Sequence, residues 1–385
     1  MARRVLYLLN ISNPDRLTSD SGWIFADLLT SALVDAGAEV TVAAPAPVGD
    51  ARCGFQCTGV PATKYRARFA PDLDQLAALI RRTQPDVVIA NQIEVAPAVR
   101  AAMLETGSPA LLAGYCHYLP FSFIDGQVRL DPSLNDAGLG RSALLVFAAG
   151  LAACERVLLH SQAAACWTRV AARRMNVDVG SKLRVVPAPR DERLVRDPTD
   201  VPTPREFAVG IYNHRLYAHY GTARFTGLAR RLTTEAPVRV RVMDLFGARR
   251  TERAALDDSP ERHRAELAAL PDVEIVSDRN DRIRYRTLLA EAHFGIAPFR
   301  PGCPWSMSVI DCQGMSLPVI APRLGWLANH VDPELLFDTD DEALALVRRL
   351  ATDREFYLVH ARRAHASTAA LRPALVADRY LEAIS

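Results

Sequence analysis

Short apolar runs alternate with stretches of helical period along almost the whole chain. Runs too short for helices and too continuous for a half-exposed sheet predict buried parallel strands, and the helical stretches between them predict crossovers. In the first half the strands fall at residues 5–10, 40–45, 86–91, 110–116, 156–161 and 183–187, with helices over 23–36, 72–82, 96–105, 141–153 and 162–175. The helix at 23–36 puts Ile24, Phe25, Leu28, Leu29, Ala32 and Leu33 on one face and stops near Gly37. Residues 188–205 carry four prolines, many charges and no periodicity, which predicts a linker. Alternation then resumes, with strands at 207–213, 238–246, 273–277, 294–299 and 318–321, and the chain ends in helices over 341–385 with a soft spot at 364–367.

The fold class expected is therefore α/β, with two doubly wound Rossmann-like domains and a helical C-terminal tail. The boundaries read as 1–190 for the first domain, 191–205 for the linker, 206–365 for the second domain and 366–385 for the last helix. In such sheets, ligands sit outside the carboxyl ends of the strands, so the loops there are where chemistry is expected.

Composition narrows the picture. The 385 residues are 49% hydrophobic, 23% charged and 7% aromatic, with a net charge of +2, which excludes a disordered chain and one that holds polyanions by bulk charge. No apolar run approaches the ~18 to 20 residues of a spanning helix. The seven cysteines, an odd number at irregular spacings, predict reduced thiols and a cytoplasmic protein. Cys53 and Cys57 lack two further ligands nearby, so no metal site is expected there. Of the 46 basic side chains, all but Lys64 and Lys182 are arginines, so the second half must draw every cationic side chain from arginine.

Candidate chemistry gathers in three places. After the first strand, residues 11–22 form a long loop ending in Gly22, whose Ser-Gly start serves either phosphate binding or plain helix capping. Neither G-x-G-x-x-G nor G-x-x-x-x-G-K-[ST] is present, which argues against a dinucleotide dehydrogenase and a P-loop NTPase. The second place follows the first strand of the second half, where Asn213-His214-Arg215-Leu216-Tyr217-Ala218-His219-Tyr220-Gly221 forms a polar cluster before a helix. Arg215 there could clamp a diphosphate through paired hydrogen bonds or be an ordinary surface arginine. Third, Phe299 to Ser308 is a Pro/Gly loop running into a serine-rich helix start whose free amides suit a phosphate, with Asp311 inside the helix.

The third segment, with Asp311 seven residues before Pro318-Val319-Ile320, resembles the donor site of GT-B glycosyltransferases, family 4 in particular. Those enzymes show a Glu, seven residues, then Glu-Ala-x-x-x-Gly-x-Pro-Val-Ile. The resemblance puts Asp311 on the glutamate that binds the nucleotide ribose and Cys303 on the one that touches the donor sugar. Family members also carry Gly-Arg-Leu-x-x-x-Lys-Gly, and Arg215-Leu216 with Tyr220-Gly221 matches it with tyrosine in place of lysine. Gly114-Tyr115-Cys116-His117 resembles the segment holding a histidine near the donor sugar, and Arg379-Tyr380-Leu381-Glu382 resembles a terminal helix returning to the first domain.

What the resemblance implies is two domains facing a cleft and transfer of a sugar, with retention, from a nucleotide-sugar to an unidentified acceptor. The implied catalytic residues are His117 and Arg215. Donor contacts would come from Gly22, Arg215, Tyr220, Cys303, Ser306, Ser308, Val309 and Asp311, with Arg300 as a further cation. No cofactor or metal is expected, the donor being a UDP- or GDP-sugar used as substrate. Asp72-x-Asp74 and Asp338-x-Asp340 read as helix caps instead of metal ligands. On the acceptor side, Trp23 and Tyr115 could stack on a ring or simply pack, and Lys64, Arg66 and Arg68, interleaved with Tyr65 and Phe69, could track a phosphate backbone or form a solvated loop. The acceptor stays open among small molecule, lipid and nucleic acid. The alternatives are an epimerase-like enzyme of the same fold, and a non-catalytic or nucleic-acid-binding relative.

Overall fold

The computed structural model describes residues 2–9, 21–44, 52–58, 64–124, 127–131, 134–135, 138–244 and 258–385. Most of the loop before Gly22, with Asn10, Pro45 and the 245–246 end of one expected strand, lies outside them, as does the side chain of Lys64. The chain forms two compact units, one of Met1–Pro189 with Leu371–Ser385 and one of Arg190–Ala370.

The first unit is built on β1 (Arg4–Leu8), β2 (Glu39–Ala44), β3 (Gly54–Cys57), β4 (Val87–Ala90), β5 (Leu111–Tyr115), the hairpin β6 (Phe121–Ile124) and β7 (Gln127–Leu130), β8 (Arg156–Leu159) and β9 (Leu183–Val185). Apart from the antiparallel hairpin, these strands form one parallel sheet in the order β3-β2-β1-β4-β5-β8-β9. Its helices are α1 (Ser21–Asp35), α2 (Lys64–Phe69), α3 (Leu73–Thr83), α4 (Ala96–Thr106), α5 (Gly140–Ala153) and α6 (Gln162–Arg174). The central strands are buried on both faces, as in β4 where all four residues are interior. Sequence pattern alone shows neither β3 nor the hairpin, because both are half-exposed and too short for a periodic signal.

The second unit contains β10 (Ala208–Tyr212), β11 (Val238–Met243), β12 (Val273–Val276), β13 (Phe294–Ile296), β14 (Val319–Pro322) and β15 (Leu336–Phe337), all parallel in the order β12-β11-β10-β13-β14-β15. Its described helices are α7 (Thr222–Glu235), α8 (Ser259–Ala268), α9 (Arg282–Ala290), α10 (Met307–Gly314), α11 (Leu327–His330), α12 (Asp340–Thr352) and α13 (Arg354–Ser367). The last helix, α14 (Pro373–Ala383), belongs to the first unit, where Tyr380 is buried and the Leu381 carbonyl accepts from Arg3 at 3.2 Å. Both sheets have doubly wound topology, with strand order reversing beside β1 in the first unit and beside β10 in the second.

The expected linker does not run free. Leu194 is buried, and Arg196 donates its backbone N–H to Gly314 and side-chain N–H groups to the Met315 and Ala290 carbonyls, which lays residues 190–205 onto the second unit. The soft spot at 364–367 is likewise continuous helix at the end of α13. Asp72 caps α3 as its position suggests, accepting from the Gln75 N–H at 3.0 Å. Asp340 does not cap: Thr339 is the N-cap of α12, in a reciprocal box with Glu342, and Asp338 pairs with Arg323 at 3.2 Å.

Candidate functional site

In the second unit the strand order reverses between β10 and β13, so the crevice for a ligand lies at their carboxyl ends. The two loops that leave those ends are the two polar segments singled out in the sequence. Gly221 holds them together: it sits at the N-cap of α7 with φ +71°, and a Cβ there would fall 2.4 Å from the Phe299 carbonyl oxygen. Only glycine permits both the left-handed backbone and this approach. The contact brings the Arg300 guanidinium over the Tyr220 ring, 5.6 Å from its centroid, and Arg224 over the Phe299 ring at 5.3 Å. Arg215, Tyr220 and Arg300 are all half-buried.

After the β13 loop, α10 begins with Ser306 as N-cap, its hydroxyl accepting from the Val309 N–H at 3.4 Å. The first-turn amides that remain, and the helix dipole, favour an anion at this end. Asn213, buried at the end of β10, donates to the Ser308 carbonyl at 3.2 Å and to the Tyr285 hydroxyl at 2.8 Å, which fixes α10 and α9 against the strand end. Val309 is buried, whereas Ser308 is half-buried.

Asp311 is buried in a network that its sequence position does not announce. Tyr285 donates its hydroxyl proton to Asp311 Oδ2 at 3.0 Å, and Arg282 approaches the same oxygen at 3.3 Å while its Nε donates to Asp191 at 3.1 Å. Burial pushes the Asp311 carboxyl up to about 6, against the opposing pull of Arg282. Burial would likewise raise Asp191, but hydrogen bonding to Arg193 and the charge of Arg282 hold it below its ordinary value. Desolvation opposes the Arg282 charge, and its carboxylate partners more than offset that, leaving its pKa above the ordinary value. Asn213, Tyr285, Arg282 and Asp191 thus belong to this end of the unit. The signal for them is chemical: the one charged side chain of a buried helix requires a buried cation, and Arg282 follows the Asp281 cap just beyond β12.

Cys303, which the resemblance sets beside the donor sugar, is held inside its loop. Its side chain is buried, the thiol donates to the Trp305 carbonyl at 3.4 Å, and burial pushes its pKa up to about 11. Its carbonyl also accepts from the Trp326 N–H at 3.0 Å, so the residue pins the loop to α11. His214, its ring 4.9 Å from that of Tyr212, is buried, its Nε2 has no hydrogen-bond partner, and burial takes its pKa down to about 3, so it stays neutral.

The first unit holds a separate aromatic cluster. Tyr115 is fully buried in β5, stacked on Phe25 at 5.0 Å, with its hydroxyl 2.5 Å from His160. His117 follows at the strand end, half-buried, its ring 5.5 Å from that of His160, and Gly22 lies half-buried in the first turn of α1. Burial and the neighbouring His117 hold the His160 pKa well below its ordinary value. Trp23 is also a buried residue of α1, so both it and Tyr115 lie in the interior.

The basic segment is the helix α2, not a loop, and its side chains divide. Arg66 is exposed, but Arg68 points inward, 3.3 Å from the buried carboxylate of Glu94 and over the Tyr118 ring at 5.0 Å. Burial raises the Glu94 pKa while Arg68 opposes it. Arg68 is therefore committed to an internal charge, which removes it from any phosphate-tracking surface.

No family model matches the sequence, and no curated protein matches it by sequence. Solved structures match over nearly the full length. A sucrose-phosphate synthase from Thermosynechococcus elongatus has a TM-score of 0.73 at 15% identity, covering 99% of this chain and 98% of its own. HepE of Anabaena, solved with UDP and glucose, has a TM-score of 0.70 at 14% identity over 98% of each chain. The α,α-trehalose 6-phosphate synthase of Burkholderia multivorans has a TM-score of 0.69 at 11% identity, covering 100% of this chain and 98% of its own. The chain has the GT-B fold of these glycosyltransferases, and at such identities the likeness is one of fold.

Proposed function

We propose that the protein is a glycosyltransferase that takes a sugar from a nucleotide-sugar bound at the β10–β13 crevice of the second unit. The observation that carries this reading is the clamp of Gly221 on Phe299, which sets Tyr220 and Arg300 together at the sheet's switch point. Bond cleavage between the sugar's anomeric carbon and the diphosphate leaves negative charge on the departing oxygen. Arg215, Arg300 and the first-turn amides of α10 are the groups assigned to stabilise it. Tyr220, at the position where the resembling family carries lysine, donates a hydrogen bond but no charge, and Arg300 above it supplies the cation.

Asp311 is assigned to the nucleotide ribose. Its oxygens already accept from Tyr285 and Arg282, and a carboxylate has lone-pair capacity for a further hydroxyl. His117 and Gly22 remain the candidates on the first unit. A UDP-sugar is the preferred donor, since HepE was solved with UDP-glucose and the folds correspond. Retention of anomeric configuration and metal-independent chemistry complete the proposal. The Asp72 and Asp338 pairs support metal independence, one capping α3 and the other bound to Arg323. Seven free cysteines suit a reducing, cytoplasmic compartment, and among the described residues no helix is long and apolar enough to cross a membrane. The acceptor class, whether small molecule, lipid or nucleic acid, is unassigned. The inward-turned Arg68 takes support away from a nucleic-acid groove.

Calorimetric titration of UDP-glucose and GDP-mannose into the wild type and Arg215→Ala tests this reading. Loss of one charge-assisted contact, about 1.5–3 kcal/mol, weakens binding by about 10- to 150-fold. Equal affinity for both proteins would remove the diphosphate clamp.

A further inference from the structure

A cavity of about 490 Å³ lies in the second unit among α10, α11, the turn at Pro333–Leu335 and α13, lined by residues that the donor site does not use. Its size falls in the range of small-molecule sites. Val319 and Leu335 contribute apolar wall, and the polar lining includes Gln313, Asn329, His330, Asp332, Glu334, His360 and Arg363.

The charge of this lining is balanced internally. Arg363 bonds Glu334 at 2.8 Å and Asp332 at 3.3 Å, and His360 Nδ1 lies 2.9 Å from Asp332. His330 stacks on Trp326 at 4.0 Å, its Nε2 lies 2.7 Å from Gln313 Oε1, and burial takes its pKa down to about 4, so it is neutral at physiological pH. A phosphate or carboxylate ligand would therefore compete with two carboxylates for Arg363. Buried polarity remains for a ligand to satisfy: His360 is interior, and its Nε2 has no hydrogen-bond partner, with Glu334 Oε2 at 3.6 Å. Paired carboxylates, amides and a guanidinium over an apolar wall match a molecule that offers many hydroxyls and no net charge.

We propose that this cavity binds a neutral mono- or disaccharide, at a site separate from the β10–β13 crevice. The full-length protein is titrated with glucose, sucrose and maltose, each with UDP present, and followed by saturation-transfer NMR and calorimetry. At least one sugar is expected to bind saturably to the wild type and with unchanged affinity to Arg215→Ala. It should bind about tenfold or more weakly to Ala328→Trp, which fills the cavity, and to Asn329→Ala, an exposed position whose loss leaves the fold intact. The proposal is overturned if none of the three sugars binds, if affinity is unchanged in Asn329→Ala and in folded Ala328→Trp, if binding is lost only in Arg215→Ala, or if inorganic phosphate displaces the sugar.

Discussion

Gly221→Ala is expected to destabilise the second unit and loosen the donor crevice together. The backbone there is left-handed, at φ +71°, which costs a side-chain-bearing residue about 1–2 kcal/mol. The added Cβ would also lie 2.4 Å from the Phe299 carbonyl oxygen and 2.6 Å from Phe299 Cβ. Neither is the end of a flexible side chain, so the β13 loop must move, at an overpacking cost of about 1–3 kcal/mol. The combined loss is about 2–5 kcal/mol, or roughly 4–20 °C in Tm for a unit of this size. Gly227, in the same helix α7, has nothing within 4 Å of an added Cβ, so Gly227→Ala is the matched control and is expected to gain about 0.5–1 kcal/mol. Differential scanning calorimetry reads the stability and UDP titration reads the crevice. If Gly221→Ala melted within about 1 °C of the wild type and bound UDP as well, the clamp between the two loops would be refuted.

Other expectations concern charge and packing. With its folded pKa raised to about 6, Asp311 is ionised above that pH and protonates as pH falls through it, so UDP-glucose affinity should fall below about pH 6. In Asp311→Asn the affinity should be low and flat with pH, and an unchanged pH profile would remove the ribose assignment. Glu94→Gln leaves the Arg68 charge buried without its counter-ion and should cost about 3–5 kcal/mol in chemical denaturation, while Arg66→Ala, at an exposed position, should be neutral. Tyr115→Phe should lower stability by about 1–3 kcal/mol through the lost His160 partner and leave UDP affinity unchanged. A change in affinity there would return Tyr115 to the binding surface. Addition of EDTA should leave turnover unaltered, and its loss would contradict metal-independent chemistry.

Much of the architecture was legible because buried parallel strands read as short apolar runs, and both doubly wound sheets are made of them. The loops after β10 and β13 were legible for a related reason: abrupt polarity at a strand end breaks the apolar run that packs the sheet. Long-range commitments of individual side chains were not. Arg68 reads as part of a solvent-facing basic run, yet its partner Glu94 comes from the turn after β4, brought near only by the fold. Arg282 and Asp311 stand on different helices, and their pairing depends on the register of β12 and β13 in the sheet. For Trp23 and Tyr115 the sequence left stacking and packing both open, because they lie beside loops along the chain, and the fold buries both. Ser316 shows a similar limit: it adopts a left-handed φ of 58° where the resembling family carries glycine, held by its hydroxyl bond to the Arg196 carbonyl at 2.5 Å.

Nucleotide release from UDP-, GDP- and TDP-sugars, measured for the wild type against Arg215→Ala, decides whether the crevice does the proposed chemistry. Slow release from a UDP- or GDP-sugar by the wild type, accelerated when the right acceptor is added and reduced at least about tenfold in Arg215→Ala, is the expected result. Silence of the folded wild type toward every donor, with no nucleotide bound by calorimetry, would contradict it and leave a protein that keeps the GT-B fold without the transfer.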